Sequence, residues 1–307
     1  MFSGQGAQYV GMGGELVEAS KAAEEVFQLA SQSLGWDVAQ LCFEGPSDKL
    51  NLTEFTQPAL LTVSVAVWET LRQYDIPQPH RAAGLSLGEY SALVAAGVLR
   101  LEDACVLVNK RGRFMQEAVP EGVGGMAAVI GMEEDEVRQT CREVEENEDD
   151  GVVRGANYNC PGQVVITGHN HLVEKACEVL REGGARRVIP LEVSAPFHSP
   201  LMQPAAEKLA EVIADIEFGK AEFPVVANIN AEEVTQPEEI KEALLKQVYS
   251  PVLWEKSVHT MMDAGCETFV EVGTGDTLSG FLRRISRQVN NYRCEKPEEI
   301  EEVAPQL

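Results

Sequence analysis

The pentapeptide Gly84-Leu85-Ser86-Leu87-Gly88 predicts a sharp turn between a strand and a helix. The residues before it, from His80 to Leu85, favour a short buried strand, and Leu87 to Ala96 favours a helix that stops at Gly97. A G-x-S-x-G sequence at such a junction is typical of a nucleophile elbow, in which the turn holds a serine hydroxyl above the end of a sheet. Glycines suit both flanks because side chains there would collide with the strand and the helix. Ser86 is therefore the candidate nucleophile, and an ordinary strand-to-helix turn is the alternative.

A serine nucleophile needs a base, which a histidine supplies most often. The sequence has five histidines, His80, His169, His171, His198 and His259. His198 is the best candidate because it lies in a turn-forming stretch, Ser194 to Pro200, directly after the strand-like run from Arg187 to Val193. His169 and His171 lie in a Gly-His-Asn-His sequence that is typical of a hairpin or of a helix entry. From the local sequence alone, a structural or solvated histidine remains the alternative for His198.

Seven motifs occur along the chain in a fixed order. They are Phe2-Ser3-Gly4-Gln5-Gly6-Ala7-Gln8, Gly84-Leu-Ser-Leu-Gly-Glu-Tyr90, Lys110-Arg-Gly-Arg-Phe-Met-Gln116, Asn159-Cys-Pro-Gly-Gln-Val-Val-Ile166, Ala195-Pro-Phe-His-Ser199, Gln247-Val-Tyr-Ser-Pro-Val252 and Glu271-Val-Gly-Thr-Gly275. Together they resemble the ordered motifs of malonyl-CoA:acyl-carrier-protein transacylases. The resemblance runs from about residue 2 to about residue 288, and the number and order of the motifs make it specific.

The resemblance implies a role for each residue of a two-residue catalytic site. Ser86 would accept the acyl group, and His198 would act as the general base that later returns the proton. A backbone carbonyl at Gln247 would orient the imidazole in place of the carboxylate of a triad. The backbone N–H groups of Gln5 and Leu87 would form the oxyanion hole, which stabilises the tetrahedral intermediate.

Arg111 matches the carboxylate-binding arginine of the same family. A planar guanidinium can hold a malonyl carboxylate through two parallel hydrogen bonds, whereas a lysine acts only as a point charge. The alternative from the sequence alone is a surface arginine, but the resemblance implies that Arg111 is buried and that Lys110 and Arg113 are its exposed neighbours. Phe197 resembles the residue of malonyl-selecting rather than methylmalonyl-selecting relatives, with simple packing as the alternative.

The reaction that the resemblance implies is a ping-pong transfer. Ser86 would attack the thioester of malonyl-CoA, and the phosphopantetheine thiol of holo acyl carrier protein would then take the malonyl group. No metal and no redox cofactor is expected. Three alternatives remain open: a transacylase that works in trans for a polyketide pathway, a serine thioesterase or hydrolase, and a non-catalytic module that binds carrier proteins.

The chain departs from the family at its start and beside the nucleophile. Leu85 stands where many relatives carry a histidine, and Ser3 stands where a proline is usual. Met1 and Phe2 are all that remains of an apolar first strand. We therefore expect either a very short first strand or a start further upstream.

Composition and charge agree with a globular enzyme. The 307 residues, of which 44% are hydrophobic, can bury one large core and a smaller one. Seven irregularly spaced cysteines form neither a metal pattern nor a disulfide framework, and they favour a reducing cytoplasm. The sequence shows no signal peptide and no long apolar segment, so secretion and membrane association are not expected. The net charge of −24 excludes general nucleic-acid binding, and docking of an acidic carrier protein would need a local basic patch.

Helical patterns alternate with short apolar strands, which predicts an α/β fold. The family resemblance implies that residues 1–122 and 192–290 form a hydrolase-like domain with a mostly parallel central sheet, and a helix of this domain is expected to open at Thr56. A β-α-β pattern over residues 123–191 resembles the ferredoxin-like subdomain of the family, with the site in the cleft between the two. Residues 291–307 are predicted to be a flexible acidic tail. The protein is expected to be a monomer.

Overall fold

Fourteen α-helices and eight strands lie in the part of the chain that the computed structural model describes, which is residues 1–148, 150–191, 193 and 195–307. The helices are α1 (Gly14–Ala19), α2 (Lys21–Leu34), α3 (Val38–Glu44), α4 (Ser47–Leu50), α5 (Thr53–Leu71), α6 (Leu87–Ala95), α7 (Leu101–Glu117), α8 (Glu134–Asn147), α9 (Asn170–Glu182), α10 (Gln203–Ala214), α11 (Pro237–Gln247), α12 (Trp254–Asp263), α13 (Thr277–Ile285) and α14 (Pro297–Val303). The strands are β1 (Gly124–Ile130), β2 (Val153–Cys160), β3 (Gln163–His169), β4 (Arg187–Pro190), β5 (Val225–Val226), β6 (Glu233–Val234), β7 (Thr268–Val272) and β8 (Asn290–Cys294). The predicted α/β fold is confirmed.

A layer of short parallel strand segments runs through the larger part of the molecule. Phe2 pairs in parallel with Gly84 on one side and with Val272, at the end of β7, on the other. β7 pairs in parallel with β8, and Ala82 pairs in parallel with Val225 of β5. Because parallel segments end at one edge of their layer, the chain leaves Gly84 and β5 on the same side. That edge carries the candidate site.

Helix α5 is buried on all sides, as expected for a helix with no continuous polar face. It begins at Thr53 and not at Thr56 as the sequence predicted, so Pro58 lies inside the helix. A proline has no N–H and leaves the carbonyl four residues earlier without its helical partner. Here the side-chain amide of Asn109 donates to that carbonyl, the Glu54 oxygen, over 2.8 Å. This contact from α7 explains why the helix tolerates an internal proline.

A second, four-stranded sheet has the order β2-β3-β1-β4, and every neighbouring pair in it is antiparallel. Helix α8 follows β1 and helix α9 follows β3, and both pack with the sheet around a hydrophobic core of their own. The sequence did not predict β2. Its Asn157 and Asn159 are buried polar residues, and two register irregularities interrupt its pairing with β3, so it lacks the alternation that marks a strand. In the predicted strand and turn around residues 187–200, Glu192 and Ser194 lie outside the described residues.

The prediction of a flexible acidic tail over residues 291–307 is wrong. This segment completes β8 and then forms α14, and Cys294 and Ile300 are fully buried. The apolar residues Ile300, Val303 and Ala304 recur at helical spacing and pack into the larger core, which leaves the acidic side chains on the opposite face. The prediction failed because it was based on the run of charges and did not consider this apolar face. No helix of the described chain is long and apolar enough to cross a lipid bilayer.

Replacing Ile300 by alanine is expected to destabilise the whole protein. Removal of a fully buried isoleucine side chain from a core costs about 2–5 kcal/mol. The midpoint of urea unfolding should fall while the slope stays the same. The exposed neighbour Glu301, replaced by alanine, is the matched control and should leave the midpoint unchanged. An equal, negligible effect of both substitutions would mean that α14 does not pack as described.

Candidate active site

The turn at Ser86 forces the backbone into a strained conformation that only close packing maintains. Ser86 has φ 52° and ψ −101°, and helix α6 begins at the next residue. A Cβ atom on Gly84 would lie 1.8 Å from the carbonyl carbon of Gly88. A Cβ on Gly88 would lie 2.1 Å from the carbonyl oxygen of Phe2. Both glycines are therefore required by direct contact with backbone, and the turn presents the serine hydroxyl at the sheet edge.

Asn228 holds this turn from the neighbouring strand. It follows β5, and its Oδ1 accepts a hydrogen bond from the backbone N–H of Ser86 over 2.7 Å. Its Nδ2 donates to the Gly84 carbonyl over 2.8 Å. The side chain is completely buried. One amide therefore fixes the backbone on both sides of Leu85 and offsets part of the strain at Ser86.

His198 lies within hydrogen-bond distance of the serine hydroxyl. Its Nε2 is 2.8 Å from Ser86 Oγ, and its Nδ1 is 2.9 Å from the Gln247 carbonyl oxygen. A carbonyl only accepts, so the neutral imidazole carries its proton on Nδ1 and leaves Nε2 as an acceptor. The imidazole thus faces the hydroxyl with the nitrogen that can remove its proton.

Arg111 lies on the other side of the hydroxyl and is almost completely buried, with 1% of its surface exposed. Its Nη2 donates to Ser86 Oγ over 3.2 Å and to Gln247 Oε1 over 2.9 Å. Its Nη1 donates to Gln57 Oε1 over 2.8 Å. The guanidinium carbon also lies 5.2 Å from the centre of the Tyr90 ring, a distance suited to a cation–π contact. Arg111 therefore places a fixed positive charge beside the candidate nucleophile.

The site opens towards the second sheet. One groove, with a volume of about 620 Å³, is lined by His198, Pro200 and Tyr249 from the larger part of the molecule and by Arg154 and Tyr158 of β2. A backbone hydrogen bond of 2.9 Å from Tyr158 to Val252 joins β2 to the segment after Gln247. His198 therefore lines a groove between the larger part of the molecule and the second sheet.

Over residues 1–305 the chain matches the family model described as an acyl transferase domain. The chain belongs to this acyltransferase family. A Bacillus subtilis protein named malonyl CoA-acyl carrier protein transacylase is 47% identical to this acyltransferase over 301 residues, which cover 98% of the chain and 94% of the relative. A Staphylococcus aureus protein of the same name is 43% identical over 300 residues, which cover 98% and 96%.

Solved structures of similar proteins superpose on this acyltransferase over its whole length. The malonyl CoA-acyl carrier protein transacylase of Coxiella burnetii gives a TM-score of 0.97 at 40% identity and covers 100% of this chain and 96% of its own. A malonyl-transacylase solved in complex with a type II polyketide acyl carrier protein gives a TM-score of 0.96 at 41% identity, with coverage of 100% and 98%.

The remaining predicted site residues of the acyltransferase lie around the elbow. Gln5 follows Gly4 in a loop that packs closely against the elbow. A Cβ atom on Gly4 would lie 2.4 Å from the Leu85 carbonyl oxygen. Leu87 is the first residue of α6. Among the described residues, the backbone N–H groups of Gln5 and Leu87 donate to no acceptor. Phe197 is buried in the larger core next to His198, so the structure is compatible with simple packing as well as with a selective role.

The sequence did not predict three buried polar residues of the acyltransferase site, which are Asn228, Glu89 and Gln57. Glu89 accepts hydrogen bonds at Oε2 from Gln247 Nε2 over 2.9 Å and from the Asn228 backbone N–H over 3.0 Å. Burial raises its pKa to about 7, against these hydrogen bonds and the charge of Arg111. Glu89 directly follows the elbow, and Gln57 directly precedes Pro58 in the apolar helix α5. For both, a polar residue inside a buried apolar run was the available signal. Lys110, expected to be exposed, is half-buried, and Arg113 is exposed.

Acyl loading of the native enzyme is expected to stay active down to unusually low pH. Burial, and then the positive charge of Arg111, lower the pKa of His198 from 6.5 to about 4. The neutral imidazole is the base, so the loading rate should stay level from about pH 8 to about pH 5 and fall below about pH 4. Quenched loading assays across this range measure the profile. A loss of activity centred at the ordinary histidine value would contradict the buried geometry.

The same pKa shift bears on stability. In the unfolded chain the imidazole of His198 titrates near its ordinary value of 6.5, whereas in the folded chain it titrates near 4. Between these two values the unfolded state binds the proton and the folded state does not. The contribution of His198 therefore lowers the free energy of unfolding as the pH falls through this range.

Proposed function

We propose that this acyltransferase transfers the malonyl group from malonyl-CoA to the phosphopantetheine thiol of an acyl carrier protein through a malonyl ester on Ser86. The observation that carries the proposal is the 3.2 Å hydrogen bond from Arg111 Nη2 to Ser86 Oγ. An acyl group on that oxygen would lie beside a buried guanidinium, which favours acyl groups with a free carboxylate. The names of the relatives from Bacillus subtilis and Staphylococcus aureus support the same substrate and acceptor.

In the first half-reaction, His198 Nε2 removes the hydroxyl proton as Ser86 Oγ attacks the thioester carbon. The C–S bond then breaks, the proton passes from His198 to the CoA sulfur, and a malonyl ester remains on Ser86. In the second half-reaction the carrier thiol gives its proton to His198 and attacks the ester. The proton returns to Ser86 Oγ as the C–O bond breaks. We assign stabilisation of both tetrahedral intermediates to the backbone N–H groups of Gln5 and Leu87.

The proposed steps use no metal and no redox cofactor. The Gln247 carbonyl that accepts from Nδ1 supports a two-residue mechanism, because a hydrolase triad places a carboxylate at that nitrogen. A carbonyl orients the imidazole and fixes its tautomer without adding a negative charge. This arrangement, together with Arg111, favours the transacylase over the thioesterase or hydrolase alternative.

The proposal includes a division of the fold. We assign residues 123–191 to a ferredoxin-like subdomain inserted into a hydrolase-like domain of residues 1–122 and 192–290. The element order β1-α8-β2-β3-α9-β4 and the antiparallel sheet order support the first assignment. The parallel pairing of Phe2 with Gly84 and Val272 supports the second. Malonyl-CoA and the carrier arm would then approach Ser86 through the groove between them.

Two kinds of acyl carrier protein are candidates for the malonyl acceptor. The first is the carrier of fatty acid synthesis, since the curated relatives carry the general name of malonyl CoA-acyl carrier protein transacylase. A polyketide carrier is the second, because one similar structure contains a type II polyketide acyl carrier protein bound to its transacylase. We further propose that the protein works as a monomer in the cytoplasm, where its seven free cysteines would stay reduced.

Intact-protein mass spectrometry tests the proposed function. Brief exposure to malonyl-CoA should add one malonyl group, which peptide mapping should locate on Ser86. A chase with the holo acyl carrier protein of fatty acid synthesis, and in parallel with a polyketide carrier, should move the group to the preferred thiol. An adduct that water removes as fast as either carrier would support the thioesterase alternative. No adduct under any condition would overturn the proposal.

A further inference from the structure

Glu89 is a buried carboxylate at the site that the proposed reaction steps do not use. It lies on α6, three residues after the nucleophile, and only 1% of its surface is exposed. Burying a carboxylate is costly unless hydrogen bonds and charges compensate it. Its Oε2 accepts two hydrogen bonds, one from the Gln247 side chain and one from the Asn228 backbone. These two contacts show what the carboxylate holds in place.

The first contact fixes the direction of the Gln247 amide. Its Nε2 donates both to Glu89 Oε2 and to the Ser86 carbonyl, each over 2.9 Å. Rotating the amide by half a turn would place its oxygen against two other oxygens, so the observed direction is strongly favoured. The amide oxygen therefore always faces Arg111, whose Nη2 donates to it over 2.9 Å. Glu89 thus acts on the guanidinium through one intervening amide.

Charge reinforces this chain of hydrogen bonds. Burial lowers the pKa of Arg111, while the neighbouring Tyr90 and Glu89 act in the opposite direction. Its Nε–H finds no acceptor within the described residues, and its other nitrogens donate to the amides of Gln57 and Gln247 and to the hydroxyl of Ser86. If the Gln247 amide were free to rotate, Arg111 Nη2, the nitrogen that donates to Ser86 Oγ, would lose its second, fixed acceptor.

We propose that Glu89 is the positioning residue for the acyl-carboxylate site, because it locks the Gln247 amide and thereby holds Arg111 Nη2 beside Ser86 Oγ. This inference rests on the proposed function and adds the origin of its selectivity. Glu89 contacts no substrate atom in this scheme. Its removal affects acyl groups that carry a carboxylate more than neutral ones, since only the former need a fixed guanidinium.

The test compares malonyl and acetyl loading of Ser86 in the native enzyme, Glu89→Ala and Glu89→Gln. Rate constants with malonyl-CoA and acetyl-CoA give a ratio for each protein. Glu89→Ala should lower the malonyl-over-acetyl ratio by about tenfold or more, as expected for loss of a hydrogen bond to a charged group. Glu89→Gln keeps an oxygen that can accept from Gln247 Nε2 and Asn228, so its ratio should stay within about threefold of native.

Asn228→Ala is the matched control, since it removes the side chain that holds the elbow at Ser86 and Gly84 but not the lock on Gln247. It should slow malonyl and acetyl loading alike and leave the ratio unchanged. A second readout is a double-mutant cycle. Gln247→Leu should lower the ratio as Glu89→Ala does, and the double variant should show no further loss because both act through one amide.

The outcomes separate this inference from the proposed function. Absence of a malonyl adduct on the native protein overturns the proposed function itself. A native adduct with an unchanged ratio in Glu89→Ala overturns the positioning role alone. A fall of the malonyl-over-acetyl ratio in Glu89→Gln as large as in Glu89→Ala also overturns it, because Glu89→Gln keeps the hydrogen-bond acceptor and should therefore keep the Gln247 amide in place. Thermal unfolding of each variant shows whether it is folded. If Glu89→Ala does not fold, the malonyl-over-acetyl ratios of the folded Glu89→Gln and Gln247→Leu variants decide the test.

Discussion

Ser86→Ala is expected to take up no malonyl group from malonyl-CoA. The substitution removes the oxygen that lies 2.8 Å from His198 Nε2 and 3.2 Å from Arg111 Nη2. No other hydroxyl can replace it, because the elbow presents this one side chain alone at the sheet edge. Alanine keeps the Cβ atom, so the strain at φ 52° is unchanged and the fold should persist. Loss of a serine nucleophile of this kind lowers rates by about 10⁶-fold.

The control for this variant is Ser91→Ala. Ser91 lies on the same helix, and its buried hydroxyl has no partner within the described residues. Loading of Ser91→Ala should match that of the native protein, and Ser86→Ala should show a clean unmodified mass after the same exposure. A stable adduct on Ser86→Ala would place the nucleophile elsewhere and would remove the elbow from the mechanism.

Arg111→Ala is expected to lose malonyl loading while it keeps most of its acetyl loading. The change removes the buried guanidinium beside Ser86 Oγ, and two hydrogen bonds to a charged group are worth about 1.5–3 kcal/mol each. Malonyl loading should therefore fall by about 10²-fold to 10⁴-fold. Acetyl has no carboxylate and should lose far less. Parallel loading assays with the two thioesters measure both effects.

Two further variants define this prediction. Arg113→Ala, on the exposed side of the same helix, is the control and should keep native loading of both groups. Arg111→Lys keeps the charge but cannot reach Gln57, Gln247 and an acyl carboxylate at once, so it should recover only a small part of the malonyl rate. Equal loss of malonyl and acetyl loading in Arg111→Ala would show that Arg111 supports the fold and does not select the acyl group.

The elbow was predictable from the sequence because it depends on local chemistry. Two glycines around a serine, between an apolar run and a helical pattern, specify a turn that few other sequences can form. The association of Ser86 with His198 and Arg111 could not come from spacing, since these residues are far apart in the chain. It came from a resemblance to a family, and the structure places the three side chains in hydrogen-bond contact.

Other features depend on contacts that no local pattern encodes. Helix α5 begins at Thr53 because Asn109, on another helix, compensates Pro58. Strand β2 carries two buried asparagines, Asn157 and Asn159, so its composition resembles that of a loop. The tail was misjudged because its charges outnumber the few apolar residues that pack. In each case tertiary contacts outweighed a local preference.

The facing glycines of the elbow also limit how this sequence can change over evolution. A methyl group on Gly84 would meet the backbone of Gly88, and one on Gly88 would meet the backbone of Phe2. No second substitution can relieve either collision, because the opposing atoms belong to main chain and there is no side chain to shorten. No other residue is therefore expected to replace glycine at these two positions. A library designed to accept new acyl groups should keep both glycines fixed and vary the residues that hold the guanidinium.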